Sequence, residues 1–314
     1  MDLLALFRRL RRAVPERDLQ TRIPVRREPD STVAPARYLS LVGVVRNEAR
    51  YLPEWIEFHR GVGFEHVYLY DHASEDEPHR VLAPFVAEGF VTLIPWNFPW
   101  LLCGSNAQIL AFAHALGCFG SGWRWMAFLD ADEFLYPTGE ESLPHLLRDY
   151  ERFPALLAFW TMFGFSGHET PPPGFVIDNY VMRAPFGFHA KPKSIVNPRE
   201  VVAVSNPHLF DLTAGPRQGF TETGQLFQKI ESGLGKNNVG TPVSVRLRLN
   251  HYYTRSRQEF EEKLGKRRLS GRAADCKKLE RIAKGIEDTA FRDEGIHGYI
   301  PELRDRLRAR SGGV

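Results

Sequence analysis

Three carboxylates crowd the stretch WMAFLDADEFLYP, residues 125–137: Asp130, Asp132 and Glu133. An apolar run leads into them, and Phe134, Leu135 and Tyr136 follow at once. Carboxylates packed this closely raise each other's pKa unless a cation sits among them. Only Ala131 separates Asp130 from Asp132, and in extended chain residues i and i+2 point the same way. Two hard oxygen donors so placed suit Mg2+ or Mn2+ rather than a soft metal. Such ions keep open positions for water or phosphate oxygens, so the chemistry to expect is a metal–diphosphate site. The structural alternative is that the acids cap a helix beginning at Glu133, or stand solvated at a strand end.

The elements that would position these acids form an alternation. Residues 38–45, 66–71, 90–96 and 123–130 are short apolar runs and predict strands. Residues 48–63, 77–89 and 105–117 between them predict helices. The first places Leu52, Trp55, Ile56 and His59 on one face and ends in Gly61 and Gly63. The second carries Pro84 in its interior. The third has Ser105 as N-cap and Gly117 as stop. Strand–helix repeats with near-continuous apolar strands mean a mostly parallel α/β sheet. Ligands bind such sheets beyond the carboxyl ends of the strands. Asp71 and Asp130 close two strands, and Asn47 and Glu48 follow the first, so all four should line one edge. After Pro137 the alternation stops. Strand candidates at 155–163, 175–184, 193–198 and 244–253 lie between Gly/Pro-rich loops and predict a mixed or antiparallel half. Two amphipathic, charged helices follow Ser256. The domain reading is a basic arm over 1–37, a catalytic domain over 38–254 and a basic helical segment over 255–314.

With 314 residues and 43% hydrophobic content, the chain can bury one large core or two smaller ones. Its net charge of +3 is uneven: +4 over residues 1–28, +5 over 255–314, and therefore −6 between them. A nucleic-acid binder would concentrate positive charge on its folded face, so that class is set aside. Basic ends suit contact with an anionic surface. Leu3, Leu6, Phe7, Leu10 and Val14 fall at helical spacing among arginines, which suits a helix lying on a membrane, a docking helix or a frayed terminus. No apolar stretch reaches the ~18–20 residues of a spanning helix. Cys103, Cys118 and Cys276 show no ligand spacing and read as reduced thiols. That fits a cytoplasmic protein, peripheral at the inner face of the membrane. No G-x-G-x-x-G follows a strand, which excludes a plain dinucleotide-binding protein.

FLDADEFLYP resembles the DxD segment of glycosyltransferases with the GT-A fold. Residues 44–76, with their Asn-Glu pair, their Glu-Trp-x-x-Phe-His helix and a strand ending in Asp71, are similar to the opening of glycosyltransferase family 92 and its bacterial, family 2-like relatives. KSIVNP followed by NPHLF, and residues 249–263, resemble later segments of that family, so the likeness covers about residues 38–270. It implies a GT-A-type (Rossmann-like) α/β fold. It also implies transfer of a sugar from a nucleotide-sugar, a UDP-sugar first, to a glycan or glycolipid hydroxyl with inversion, in polysaccharide biosynthesis. By this likeness Asp130, Asp132 and His251 would hold Mn2+ or Mg2+. Asn47, Glu48, Asp71, Asp130 and Lys193 would bind the nucleotide and diphosphate, with His208 either there or in the core. His168, Glu169 and Asp211 are the candidate catalytic bases. One departure is Ala113, where relatives carry Asn; Gln108 remains on that helix. Two readings compete. A sugar-nucleotide nucleotidyltransferase would need a Gly-rich, Arg-bearing loop after the first strand, which GVVRNEARYL lacks. A non-catalytic carbohydrate-binding protein at the membrane surface would bind without turnover.

Overall fold

The structure, a computed structural model, describes residues 22–25, 34–97, 107–139, 141–232, 235–269 and 273–311. The N-terminal amphipathic segment, Ser105 and Cys103 lie outside these residues. From the arm, β1 (Ile23–Pro24) pairs antiparallel with residues 203–204. The four expected strands are β2 (Arg37–Val45), β3 (His66–Asp71), β4 (Val91–Pro95) and β5 (Trp123–Phe128). Helices α1 (Leu52–Val62), α2 (Pro78–Ala87) and α3 (Ala107–Phe119) connect them. The strands are parallel and stand in the order β4-β3-β2-β5. They need apolar residues on both faces because both faces are covered. Leu39 and Leu41 pack with Trp55 of α1 and Phe85 of α2, whereas Val42 packs with Phe112 of α3.

Strand order reverses between β2 and β5, since the chain steps from β2 outward to β4 and then returns to the other side of β2. Such a switch point opens a crevice at the carboxyl ends of the two strands it separates. Those ends carry Asn47 and Glu48 on one side and Asp130 to Glu133 on the other.

The second half is mixed, as expected. β6 (Glu133–Pro137) leads through α4 (Leu143–Arg148) to β7 (Ala155–Met162), then to α5 (Val176–Asn179) and β8 (Met182–Arg183). β9 (Pro192–Val196) inserts antiparallel between β5 and β7. The series β10 (Val201–Val204), β11 (Phe210–Leu212), β12 (Gly215–Phe220), β13 (Leu226–Ser232) and β14 (Gly235–Val239) forms an antiparallel meander. β15 (Leu247–His251) runs parallel to β7 and antiparallel to β6. Helices α6 (Arg257–Leu269) and α7 (Ala273–Thr289), the small strand β16 (Phe291–Arg292) paired with β8, and α8 (Ile300–Ser311) complete the chain. Among the described residues this makes one fourteen-stranded sheet and one two-stranded sheet.

Three expectations need correction. Residues 175–184 do not form one strand; only Met182–Arg183 is a strand, as β8. Two backbone N–H groups at 176–177 donate to the buried Glu54 carboxylate and wind one helical turn instead. Gly117 does not stop α3, which runs on to Phe119. Glu133 begins a strand, not a helix, so the acids are not a helix cap. Pro84 is accommodated inside α2 on its exposed side.

Gly63 ends α1 at φ 112°, in the left-handed region, and an added Cβ would stand 2.5 Å from Pro144 Cδ. Gly63→Ala therefore meets both a backbone penalty and a rigid ring. It should lower the unfolding free energy by about 2 kcal/mol or more, read from urea denaturation.

Candidate functional site

Asp130 and Asp132 are not in extended chain. Residues 130–133 form a turn in which Glu133 N donates to Asp130 O at 3.1 Å. The two carboxylates consequently take different partners. Asp130 accepts from Lys193 Nζ and Gln108 Nε2, both at 2.7 Å. Asp132 Oδ2 lies 3.4 Å from His251 Nε2 and 3.7 Å from Lys263 Nζ.

Beneath the turn is Glu133, with no solvent exposure. Its Oε1 accepts from Trp160 Nε1 at 2.7 Å. Its Oε2 accepts from Asp130 N at 2.9 Å and faces Lys193 Nζ at 3.3 Å, while its main-chain oxygen accepts from Trp55 Nε1 at 2.8 Å. Antiparallel register with β5 carries Lys193 past the end of that strand, level with the turn. Burial alone would lower the Lys193 ammonium, but Asp130 and Glu133 outweigh it and hold the charge. Burial likewise pushes the Asp130 carboxyl up, and Lys193 reverses the sign. For Glu133 burial wins over Lys193, so its carboxyl is raised, with Asp130 and Asp132 adding to the effect.

β15 supplies His251 directly opposite Glu133 in the β6 ladder, and Tyr252 N continues that ladder to Asp132 O at 2.8 Å. Burial keeps His251 a neutral imidazole against the pull of Asp132. Burial raises the Asp132 carboxyl, but His251, Lys263 and Arg255 around it lower it further, so it is ionised. Arg255, itself buried at φ 53°, ties the two sides of the crevice: Nη1 donates to Glu48 at 2.7 Å and Nη2 to Ala131 O at 3.4 Å. Its guanidinium also lies 3.9 Å over the Tyr51 ring. Burial is the main influence raising the Glu48 carboxyl, opposed by Arg255.

The Glu-Trp-x-x-Phe-His helix braces this arrangement. His59 Nε2 accepts from Leu135 N at 3.3 Å, which puts the ring proton on Nδ1, donated to Trp55 O at 2.8 Å. Burial pushes that imidazole down to about 3, so it remains neutral. Asn47, at φ 57°, accepts from Glu75 N, and its own N–H donates to Ser74 Oγ. Asp71 accepts from Ser74 N at 3.1 Å and lies 3.6 Å from His79. The loops after β2 and β3 are thus joined through Ser74.

The structure brings Asp130, Asp132, Lys193, His251 and Glu48 together around one turn. His168, Glu169 and Asp211 make their bonds elsewhere. His168 Nε2 meets Asn179 O, Glu169 pairs with Arg257, and Asp211 accepts from Arg22, Ser205 Oγ and Arg217 N. His208 packs edge-on against Trp160, its Nδ1 donating to Pro192 O. Sequence reasoning assigned no role to Glu133, Arg255, Lys263 or Trp160. For Glu133 the signal was present, a third acid in DADE. For the other three only the folded chain reveals the contact.

Asp132, Glu133 and His251 each offer a ligand atom, and these lie within 4.8 Å of one another. Glu133 has both oxygens engaged and no exposure, whereas the Asp132 side chain keeps 19% exposure. The His251 Nδ1 atom is buried without a hydrogen-bond partner. An ionised carboxylate beside a neutral, incompletely satisfied imidazole fits a divalent cation of the Mn2+ kind, with Asp132 and His251 as the available donors.

A model of the family described as Glycosyltransferase family 92 matches residues 42–264. A glycosyltransferase family 92 protein of Oryza sativa subsp. japonica is 28% identical over 243 residues, covering 76% of this chain and 36% of that protein. Another from Ricinus communis is 27% identical over 293 residues, covering 84% of this chain and 48% of the relative. The chain thus spans between about a third and a half of the length of these curated relatives. Among solved structures, S. aureus TarS residues 1–349 superposes with a TM-score of 0.37 at 13% identity, covering 72% of this chain and 63% of that one.

Lys193→Met would leave Asp130 and Glu133 facing each other without their cation. It should cost about 3–5 kcal/mol of stability in denaturant unfolding, and adding Glu133→Gln should recover part of the loss. Burial pushes the Glu54 carboxyl up to about 7, against the N–H groups of Val176 and Ile177. A raised carboxyl stabilises the fold fully below its ordinary 4.5, and that contribution drains away as pH rises through about 7. Unfolding free energy followed across that window should therefore decline less steeply in Glu54→Gln than in the parent chain.

Proposed function

This chain belongs to glycosyltransferase family 92, and on that premise we propose that it transfers a sugar from a nucleotide-sugar, a UDP-sugar first, to a glycan or glycolipid hydroxyl, with divalent metal and with inversion. The observation that carries this reading is the ionised Asp132 beside neutral His251 at the switch point of the parallel sheet. Asp132 and His251 would hold the cation, which when bound supplies Lewis-acid stabilisation of the departing diphosphate.

The chain's own residues do the rest. Asn47, just past β2, and Asp71, the last residue of β3, are joined through Ser74 at the strand ends where a base and ribose would lie. Arg255 fixes Glu48 against the turn, so the two walls of the crevice cannot separate independently. Lys193 offsets Asp130 and Glu133 from below, leaving Asp132 to act on a ligand. Asp130, with 36% of its side chain exposed, is the second carboxylate that a ribose hydroxyl could reach.

Calorimetric titration of UDP, GDP and a panel of nucleotide sugars, with and without Mn2+, tests the reading. One nucleotide should bind only with metal, and Asp132→Asn should weaken it by about 100-fold or abolish it. Absence of nucleotide binding with every metal would sink the transferase reading and leave carbohydrate binding without turnover.

A further inference from the structure

Glu259, in the first turn of α6, collects four donors. Ser256 N reaches it at 3.1 Å and Ser256 Oγ at 2.6 Å, and the hydroxyls of Tyr51 and Tyr180 donate to it as well, the latter at 3.3 Å. Glu259 N returns a bond to Ser256 Oγ at 3.3 Å. Ser256 and Glu259 therefore make a capping box. A cap needs nothing more. The other amides of that turn already have acceptors, since Arg257 N donates to His168 O and Gln258 N to Glu169 O. The tyrosines come from elsewhere: Tyr51 stands directly before α1, 208 residues away in sequence, and Tyr180 is 79 residues away. Burial and the bond to Glu259 push the Tyr51 hydroxyl up, so it remains a donor. Burial would raise the Glu259 carboxyl, but the Ser256 and Tyr51 hydroxyls outweigh it, so the group is an ionised acceptor.

What these bonds surround is Arg255. Its chain neighbour Ser256 is held by the box, and the Tyr51 ring lies 3.9 Å from its guanidinium. Glu259 thus restrains Arg255 twice, through the backbone and through the ring. Arg255 is a residue that requires restraint. It sits at φ 53°, which a non-glycine residue keeps when its surroundings impose it. It also spans the crevice, from Glu48 at 2.7 Å to Ala131 O at 3.4 Å. A long side chain holds two partners at once only when its rotamers are restricted. One turn further along α6, Lys263 stands 3.7 Å from Asp132, so the direction in which the helix leaves Ser256 sets that distance too.

We infer that Glu259, acting with Tyr51, is a positioning residue for Arg255: it fixes the guanidinium that joins the two walls of the crevice without itself touching a ligand. Its effect on nucleotide binding rests on the transferase reading above, whereas its effect on the walls does not.

The test is hydrogen exchange read by mass spectrometry on the full chain, with titration of UDP in the presence of Mn2+ beside it. The variants are Glu259→Ala, Tyr51→Phe, Ser256→Ala, Arg255→Met and the double variant Glu259→Ala/Arg255→Met. The reporting amides are those of Tyr51 and Leu52, both bonded to Glu48 O, and that of Glu133, bonded to Asp130 O. Glu259→Ala should speed their exchange, Arg255→Met should do so by a similar factor, and the double variant should add nothing further. Ser256→Ala opens the cap but leaves Tyr51 tied to Glu259, so it should speed exchange in the first turn of α6 with little change at the walls. Tyr51→Phe keeps the cap and the ring, so faster exchange at the walls in that variant separates positioning from a general loss of fold. UDP should bind about tenfold more weakly in Glu259→Ala and in Tyr51→Phe. Faster exchange confined to α6, or wall effects of Glu259→Ala that add to those of Arg255→Met, would overturn the inference. A parent chain that binds no UDP would remove the transferase reading and leave the exchange result to decide the positioning. Parent-like exchange at the walls together with parent-like UDP affinity in both variants would discard the positioning and keep the reading.

Discussion

A fully buried lysine between two carboxylates is the constraint around which the crevice is arranged. Lys193 and Glu133 have almost no access to water, and neither charge could be accommodated alone in that environment. Their pairing fixes where β9 must run against β5, and hence why an antiparallel strand interrupts the parallel series at that position. It also fixes the direction of Glu133, which two tryptophans from different elements then clamp, one on the carboxylate and one on the main-chain oxygen. With Glu133 committed downward, Asp130 and Asp132 are the acids that keep exposure, and of the two Asp132 is the one not paired with Lys193.

The site divides into a supporting layer and a presenting layer. Glu133, Lys193, Trp55, Trp160 and His59 make the first, and their hydrogen bonds are directed at one another. Asp130, Asp132, His251 and Glu48 make the second. Ligand positions are held best when the side chains behind them have no freedom of their own. The Glu-Trp-x-x-Phe-His helix of this chain belongs to the supporting layer. Glu54 orders the segment at 176–177, Trp55 holds Glu133, and His59 takes up the amide of Leu135.

Much of the fold could be read from the sequence because β2 to β5 and their helices obey simple periodicities, although β5 ends at Phe128, two residues before the Asp130 that was expected to close it. The acid turn was legible as a cluster but not as a shape. An i, i+2 spacing says where two side chains point only if the chain is extended, and here a turn hydrogen bond sends them to different partners. Residues 175–184 misled for a related reason. Their apolar content looked like a strand, while a buried carboxylate 122 residues away in sequence set their conformation. Arg255 and Trp160 were out of reach, since nothing in local spacing reports that a guanidinium will join Glu48 to Ala131, or that one indole will lie between Glu133 and three histidines.

The bond from Arg255 to Glu48 closes across 207 residues. β15, which carries His251, pairs with β6 more than a hundred residues before it. Contacts between positions so distant along the chain form only after nearly all of it is available, and their loop-closure cost makes them slow. During synthesis the parallel half can collapse and cover its helices early, but the crevice stays open on one side until the segment 247–255 arrives. The capacity to bind a ligand there is therefore a late event in the life of the chain, and chains interrupted before residue 247 would keep much of the sheet and none of the completed site.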